Sequence, residues 1–255
     1  MSNYKSIHKM GRDEIIINKS RFIGSACPVE TEEEALEFIN KIKKEFKDAR
    51  HNVYAYVIGE NSNIQRFSDD GEPSGTAGIP VLNVIKQENI RNAAIVVTRY
   101  FGGVLLGAGG LIRAYTKGSK IALESGIIVD KKLFYDVLFK LDYTMLGKME
   151  NELLKNNFIV VDKIYEEQVI IKLIAENENL DNIRALVGEV TSGKSEVSVG
   201  QAAYYSTKNG KIIEWLLSLL WIHVSVILNA VKSLIKGKFI RFIQDDKNLI
   251  NQWVK

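Results

Sequence analysis

The sequence predicts an α+β protein of two domains, residues 1–132 and 133–206, followed by an atypical extension over 207–255. Three observations predict it. Through the first 206 residues, β-branched runs alternate with stretches of helical apolar spacing. In the second domain those segments come in the order β-α-β-β-α-β. The pattern then breaks. From Trp215 the chain reads WLLSLLWIHVSVILNAV and then KSLIKGKFIRFIQDDKNLINQWVK, with no strand alternation.

In the first domain, EIIIN (14–18) and RFIGSACPV (21–29) read as paired strands. Thr31 and Glu34 form a capping box, opening a helix that buries Ala35, Phe38, Ile39, Ile42 and Phe46. HNVYAYVIG (51–59) is a strand with strict alternation. The loop SDDGEPSGTAG (68–78) precedes a short helix around residues 80–87. NAAIVVTRYF (92–101) is a buried strand, and a glycine-rich turn leads from it into a helix over 110–125.

In the second domain, LFYDVLF (133–139) is a strand. YTMLGKMENELLKN (143–156) sets Met145, Leu146, Met149, Leu153 and Leu154 at helical spacing. NFIVVDKIY (157–165) and EQVIIKLIA (167–175) form a hairpin. Residues 181–190 carry Ile183, Leu186, Val187 and Val190 on one helix face, and SEVSVGQAAYY (195–205) closes the domain. This is the ferredoxin-like, split βαβ arrangement.

Composition excludes several classes. With 46% hydrophobic and 25% charged residues, the chain is neither disordered nor collagenous. A lone cysteine, Cys27, makes no internal bridge and no thiolate cluster, so a reducing, cytoplasmic setting is expected. The N-terminus lacks a long apolar h-region, so no secretory signal is expected. The net charge of +3 is unevenly placed: +3 over 1–132, −4 over 133–214 and +4 over 215–255.

The basicity that points to a partner is local. No acidic residue occurs between Glu88 and Glu124, while Arg91, Arg99, Arg113, Lys117 and Lys120 lie in that span. The last three share one helix face, opposite Leu111, Ala114, Ile121 and Ala122. Gly102, Gly103, Gly107, Gly109 and Gly110 sit between the strand and this helix. Backbone N–H groups at such a turn, with Arg and Lys around them, suit a phosphate, including one of a nucleic-acid backbone. The alternative is that the glycines serve turns and close packing and the cations are a solvated face.

Asp69, Asp70 and Glu72 lie close together with Ser74 and Thr76. They offer either a carboxylate loop for a ligand or acid/base chemistry, or plain turn chemistry. GEVTSGKS (188–195) formally matches the P-loop motif, but a helix precedes it and a strand follows, the reverse of what the motif needs. Gly193-Lys194 therefore reads as a helix C-cap. The three histidines have no ligand spacing, and neither a metal nor a cofactor is expected.

SRFIG (20–24), RFSDDGEPSGTAG (66–78) and VVTRYFGGVLLGAGGLIRAY (96–115), in that order, resemble the YigZ family. These small bacterial proteins share their first domain with the eukaryotic translation regulator IMPACT. The resemblance spans about residues 5–206. It implies a first domain like domain IV of elongation factor G and a second like its domain V. It carries no catalytic residues, and implies a role at RNA, the ribosome or translation factors, with a protein partner as the other candidate. An enzyme acting on a phosphorylated or peptide-like small molecule through Asp69, Asp70 and Glu72 stands as the alternative. The extension has three readings: a short membrane segment over 215–231, an interfacial helix, or an addition foreign to the family. VILNAVKSL, which resembles translated interspersed repeats of bacterial genomes, favours the third.

Overall fold

The computed structural model describes residues 3–213, so the readings of the segment 215–231 lie outside the described residues. The chain divides into two compact units, residues 1–211 and 212–255, and everything below concerns the first.

Five helices and two antiparallel sheets make up this unit. The first sheet runs in the order β2 (Gly11–Ile17), β3 (Ser20–Pro28), β6 (Ala93–Tyr100), β4 (His51–Ile58), β5 (Ile64–Ser68). Strand parity sends its side chains to two faces. Val53, Ala55, Val57, Ala93, Ile95 and Val97 pack with α2 (Gly78–Gln87) and α3 (Gly107–Gly126). Tyr56, Ile58, Ala94 and Val96 pack with Phe38, Ile39 and Ile42 of α1 (Glu32–Glu45). Because helices cover both faces, six of the eight positions of β4 are buried, where strict alternation was expected.

The capping box forms as its residue types dictate. Thr31 Oγ1 accepts from the Glu34 N–H at 3.2 Å, while the Glu34 carboxylate accepts from the Glu30 N–H at 2.7 Å, one residue before the cap. On the other face α3 lies directly on β3, because a Cβ at Gly24 would stand 2.1 Å from the Gly118 carbonyl oxygen.

The second sheet contains, in order, β10 (Ser198–Lys208), β7 (Ile128–Leu141), β9 (Val169–Ala175) and β8 (Ile159–Tyr165), with the two-residue strand Lys211–Ile212 beside β10. Helices α4 (Tyr143–Lys155) and α5 (Leu180–Thr191) supply Met149, Leu153, Ile183 and Val187 to a core with Val137, Phe139, Ile171 and Leu173. The segment with the P-loop-like spelling closes α5. Ser192 and Gly193 have φ of 53° and 75°, and the Gly193 N–H donates to the Gly188 carbonyl at 2.8 Å. Those amides are spent on the helix end.

Within residues 3–208, two strands were not anticipated. One is β5, and the other is β1 (Tyr4–Ile7), which pairs with residues Ile128–Lys131 of β7. Ile7 is at the same time buried in the core under α3. The expected boundary between 132 and 133 falls within β7, whose first residues pair with β1 on one edge and β10 on the other.

Candidate functional site

Strand β6 carries the chain to one end of the first sheet, where His51 opens β4 opposite Arg99. The turn after it is fixed by close contact. Gly102 donates its N–H to Ser20 Oγ at 3.2 Å, and a Cβ there would stand 2.0 Å from the Lys19 carbonyl. Gly103 and Gly107 have φ of 82° and 68°, a region that side chains disfavour, and open space lies where their Cβ would be.

Helix α3 begins at Gly107 behind Leu106, a residue unable to cap, and no acidic residue occupies its first turn. Its leading N–H groups thus receive no side-chain cap from Leu106 and no carboxylate from the first turn, and the helix dipole there favours an anion. Arg113 reinforces this. Its Nη1 lies 3.7 Å from the point a Cβ on Gly109 would occupy, so the guanidinium folds back along the first turn. Arg113, Lys117 and Lys120 are all exposed, while Leu111, Ala114 and Ala122 are buried. A Cβ at Gly110 would stand 3.0 Å from the Leu106 Cβ.

Arg99 does not share that face. Parity places it with Ala93, Ile95 and Val97 toward α3, and it is 6% exposed. Its Nη1 donates to Glu72 Oε1 at 2.7 Å, and its guanidinium lies over the rings of Phe22 (5.5 Å) and Phe101 (5.6 Å). Its Nε is buried with no hydrogen-bond partner among the described residues. The Tyr115 hydroxyl donates to the same Glu72 oxygen at 2.8 Å. Burial, and then the charge of Glu72, raise the Tyr115 phenol far above its ordinary range, so it stays a donor. His51 Nε2 lies 3.9 Å from Glu72 Oε1. Its Nδ1 is 2.8 Å from the Asp70 carbonyl oxygen, which can only accept, so that nitrogen carries the proton.

The three loop carboxylates face different ways. Asp69 accepts from the N–H groups of Gly75 (2.9 Å), Ala77 (3.1 Å) and Gly78 (2.8 Å), tying the loop to the start of α2. Asp70 meets Lys43 Nζ at 2.7 Å and accepts from the Asn52 N–H at 2.6 Å. Only Glu72 turns inward. The structure thus joins Glu72 to Arg99 and leaves Arg113, Lys117 and Lys120 on the outer surface of α3. His51, Phe101 and Tyr115 were missed from sequence. Tyr115 had a readable signal, since a tyrosine four residues after Leu111 on an apolar face needs an acceptor for its hydroxyl.

Comparison with known proteins matches two regions. The Impact N-terminal domain matches residues 18–123, and a domain of unknown function (DUF1949) matches residues 139–194. The chain is 46% identical over 204 residues to the IMPACT family member YvyE of Bacillus subtilis, covering 80% of this chain and 94% of that one. It is 31% identical to the IMPACT family member YigZ of Escherichia coli, covering 71% and 90%. Protein IMPACT of Danio rerio is 35% identical over 100 residues, 37% of this chain and 31% of its own length. A crystal structure described as that of a hypothetical protein superimposes with a TM-score of 0.50 at 29% identity, covering 77% of this chain and 97% of that one.

Proposed function

Because the chain belongs to the IMPACT family, whose YigZ branch it resembles, we propose that it is a cytoplasmic protein that binds RNA of the translation apparatus in a regulatory role. The observation that carries this reading is the start of α3: uncapped N–H groups and the Arg113 guanidinium folded over Gly109, in a stretch without an acidic residue from 89 to 123. On this reading Arg113, Lys117 and Lys120 meet phosphates, and Gly103, Gly107 and Gly109 let the ribose–phosphate chain approach the backbone. Arg99 and Glu72 hold the site from beneath, and Asp69 and Asp70 hold the loop.

Two domain likenesses support the assignment. The second sheet's order, with both helices in one core, is what a ferredoxin-like domain resembling domain V of elongation factor G requires. On this reading the first domain corresponds to domain IV of that factor, and the match of residues 18–123 to the Impact N-terminal domain supports a role in translation.

The test is co-sedimentation of the full chain with ribosomes across a salt series, with and without nuclease. Binding is expected to fall steeply with salt and with nuclease. In Arg113→Ala/Lys117→Ala, loss of two phosphate contacts lowers the slope of log K against log salt by roughly 1.5. Affinity that is flat with salt, or unaltered in the double variant, overturns the reading.

A further inference from the structure

We propose that the RNA segment held at α3 is single-stranded, and that Phe101 is the platform on which one of its bases stacks. This rests on the reading above and adds to it the class of ligand.

The turn between β6 and α3 exposes apolar surface where a merely structural turn would be polar. Phe101 is 43% exposed and Leu105 is 86% exposed, with Val104 between them also exposed. An aromatic ring in water at a strand end needs a reason, and here it is held in place on both sides. Tyr100 before it donates its hydroxyl to Asp48 at 2.9 Å. Gly102 after it is pressed against the Lys19–Ser20 backbone. The Arg99 guanidinium lies over the ring at 5.6 Å and is itself clamped by Glu72. The ring has little freedom left to lose when a ligand covers it, the condition under which an aromatic contact contributes most to affinity.

Charge selects the ligand. Arg99 is neutralised by Glu72, so charge for a ligand comes from exposed cations such as those of α3, starting with Arg113 at Gly109. A half-exposed aromatic within an acid-free basic stretch matches a strand carrying phosphates and unpaired bases together. A duplex fits poorly. Its bases are stacked on one another, and the deep, narrow major groove of A-form RNA keeps their edges from a side chain on a short turn.

The experiment measures binding of the full chain to a labelled 12-nucleotide oligouridylate and to a perfect RNA duplex of the same length, by fluorescence anisotropy over a salt series. We expect the single strand to bind at least tenfold tighter. Phe101→Ala is expected to weaken single-strand binding by about 5- to 100-fold, the loss produced by removing one base–aromatic stack. The salt slope should not change in that variant, because no phosphate contact is removed. Phe101→Leu, which keeps apolar volume over Arg99 without a π-face, should lose nearly as much, and Phe101→Trp should bind as wild type. Equal binding of strand and duplex, or full affinity in Phe101→Leu, overturns this inference while leaving the RNA reading intact. Binding of neither RNA at low salt overturns the RNA reading and this inference with it. A Phe101→Leu defect seen only on nuclease-stripped ribosomal protein assigns the turn to a protein partner and overturns the inference.

Discussion

Glu72 tests the architecture beneath the site, and its replacement by Gln has a calculable cost. Glu72 and Arg99 are 8% and 6% exposed, and their charged atoms meet at 2.7 Å. With charge centres about 4 Å apart and an effective dielectric near 20, the attraction is about 4 kcal/mol. Glu72→Gln keeps shape and an acceptor for Tyr115 but leaves the Arg99 charge buried and uncompensated. Breaking a buried pair in this way costs about 3–5 kcal/mol, in line with the electrostatic figure. In urea, with a slope of about 2–3 kcal/mol per molar for a chain of this size, the midpoint should fall by roughly 1–2 M at unchanged slope. Far-UV circular dichroism is the right probe, because it reads the helices and sheets of this unit directly. Adding Arg99→Met removes the stranded charge and should restore about 2 kcal/mol or more of the loss. Tyr115→Phe, which removes one hydrogen bond to a charged acceptor, should cost about 1.5–3 kcal/mol. A loss under about 1 kcal/mol in Glu72→Gln, or strict additivity of Glu72→Gln and Arg99→Met, would refute the idea that this pair is a coupled buried unit.

Three further outcomes follow from single positions. Gly109→Ala meets only Arg113 Nη1 at 3.7 Å, so it should raise thermal stability by about 0.5–1 kcal/mol while lowering RNA affinity; Gly102→Ala, driven into the Lys19 carbonyl, should lose at least about 1–3 kcal/mol on the same melting curve. Burial raises the Asp136 carboxyl, with Lys172 opposing, so the fold holds that proton more tightly than the unfolded chain, and its stabilisation is present below the unfolded pKa and fades as pH rises through the folded one. Asp136→Asn should accordingly match or exceed wild type by up to about 0.5 kcal/mol at neutral pH and equal it in acid, read as urea midpoints at the two pH values. Burial also pushes the Cys27 thiol up, so native protein should react with a thiol reagent at neutral pH many times more slowly than urea-unfolded protein.

The elements legible in the sequence are those whose signal is local. Thr31 and Glu34 mark a helix start within four residues, and the strand–helix order of 133–205 needs no knowledge of distant partners. What was not legible depends on pairing across the chain. The strand YKSI (4–7) has no periodicity worth reading; it exists because Ile128–Lys131 offers it an edge and because Ile7 finds a core. The same pairing explains why β7 begins five residues before the apolar run LFYDVLF, through the charged residues Asp130, Lys131 and Lys132. The inward turn of Glu72 is likewise a property of the folded loop.

Arg99 is the instructive case, because local composition and strand parity disagreed and parity won. Composition groups it with Arg113, Lys117 and Lys120 in a stretch without acids. Parity, counted from Ala93 through Ile95 and Val97, puts it on the face that α3 covers, where a cation survives only with a counter-charge. Glu72 supplies it from a loop that reads in isolation as a ligand site. The two motifs that sequence treated as separate sites, the glycine turn and the acidic loop, therefore meet through one buried ion pair. The consequence is a division of labour: Glu72 is turned to the buried Arg99, and the cations that remain exposed on α3 are left to whatever arrives from solvent. A near-neutral chain can thus present a local run of exposed cations without a basic composition, with a nearby carboxylate, Glu72, paired inward.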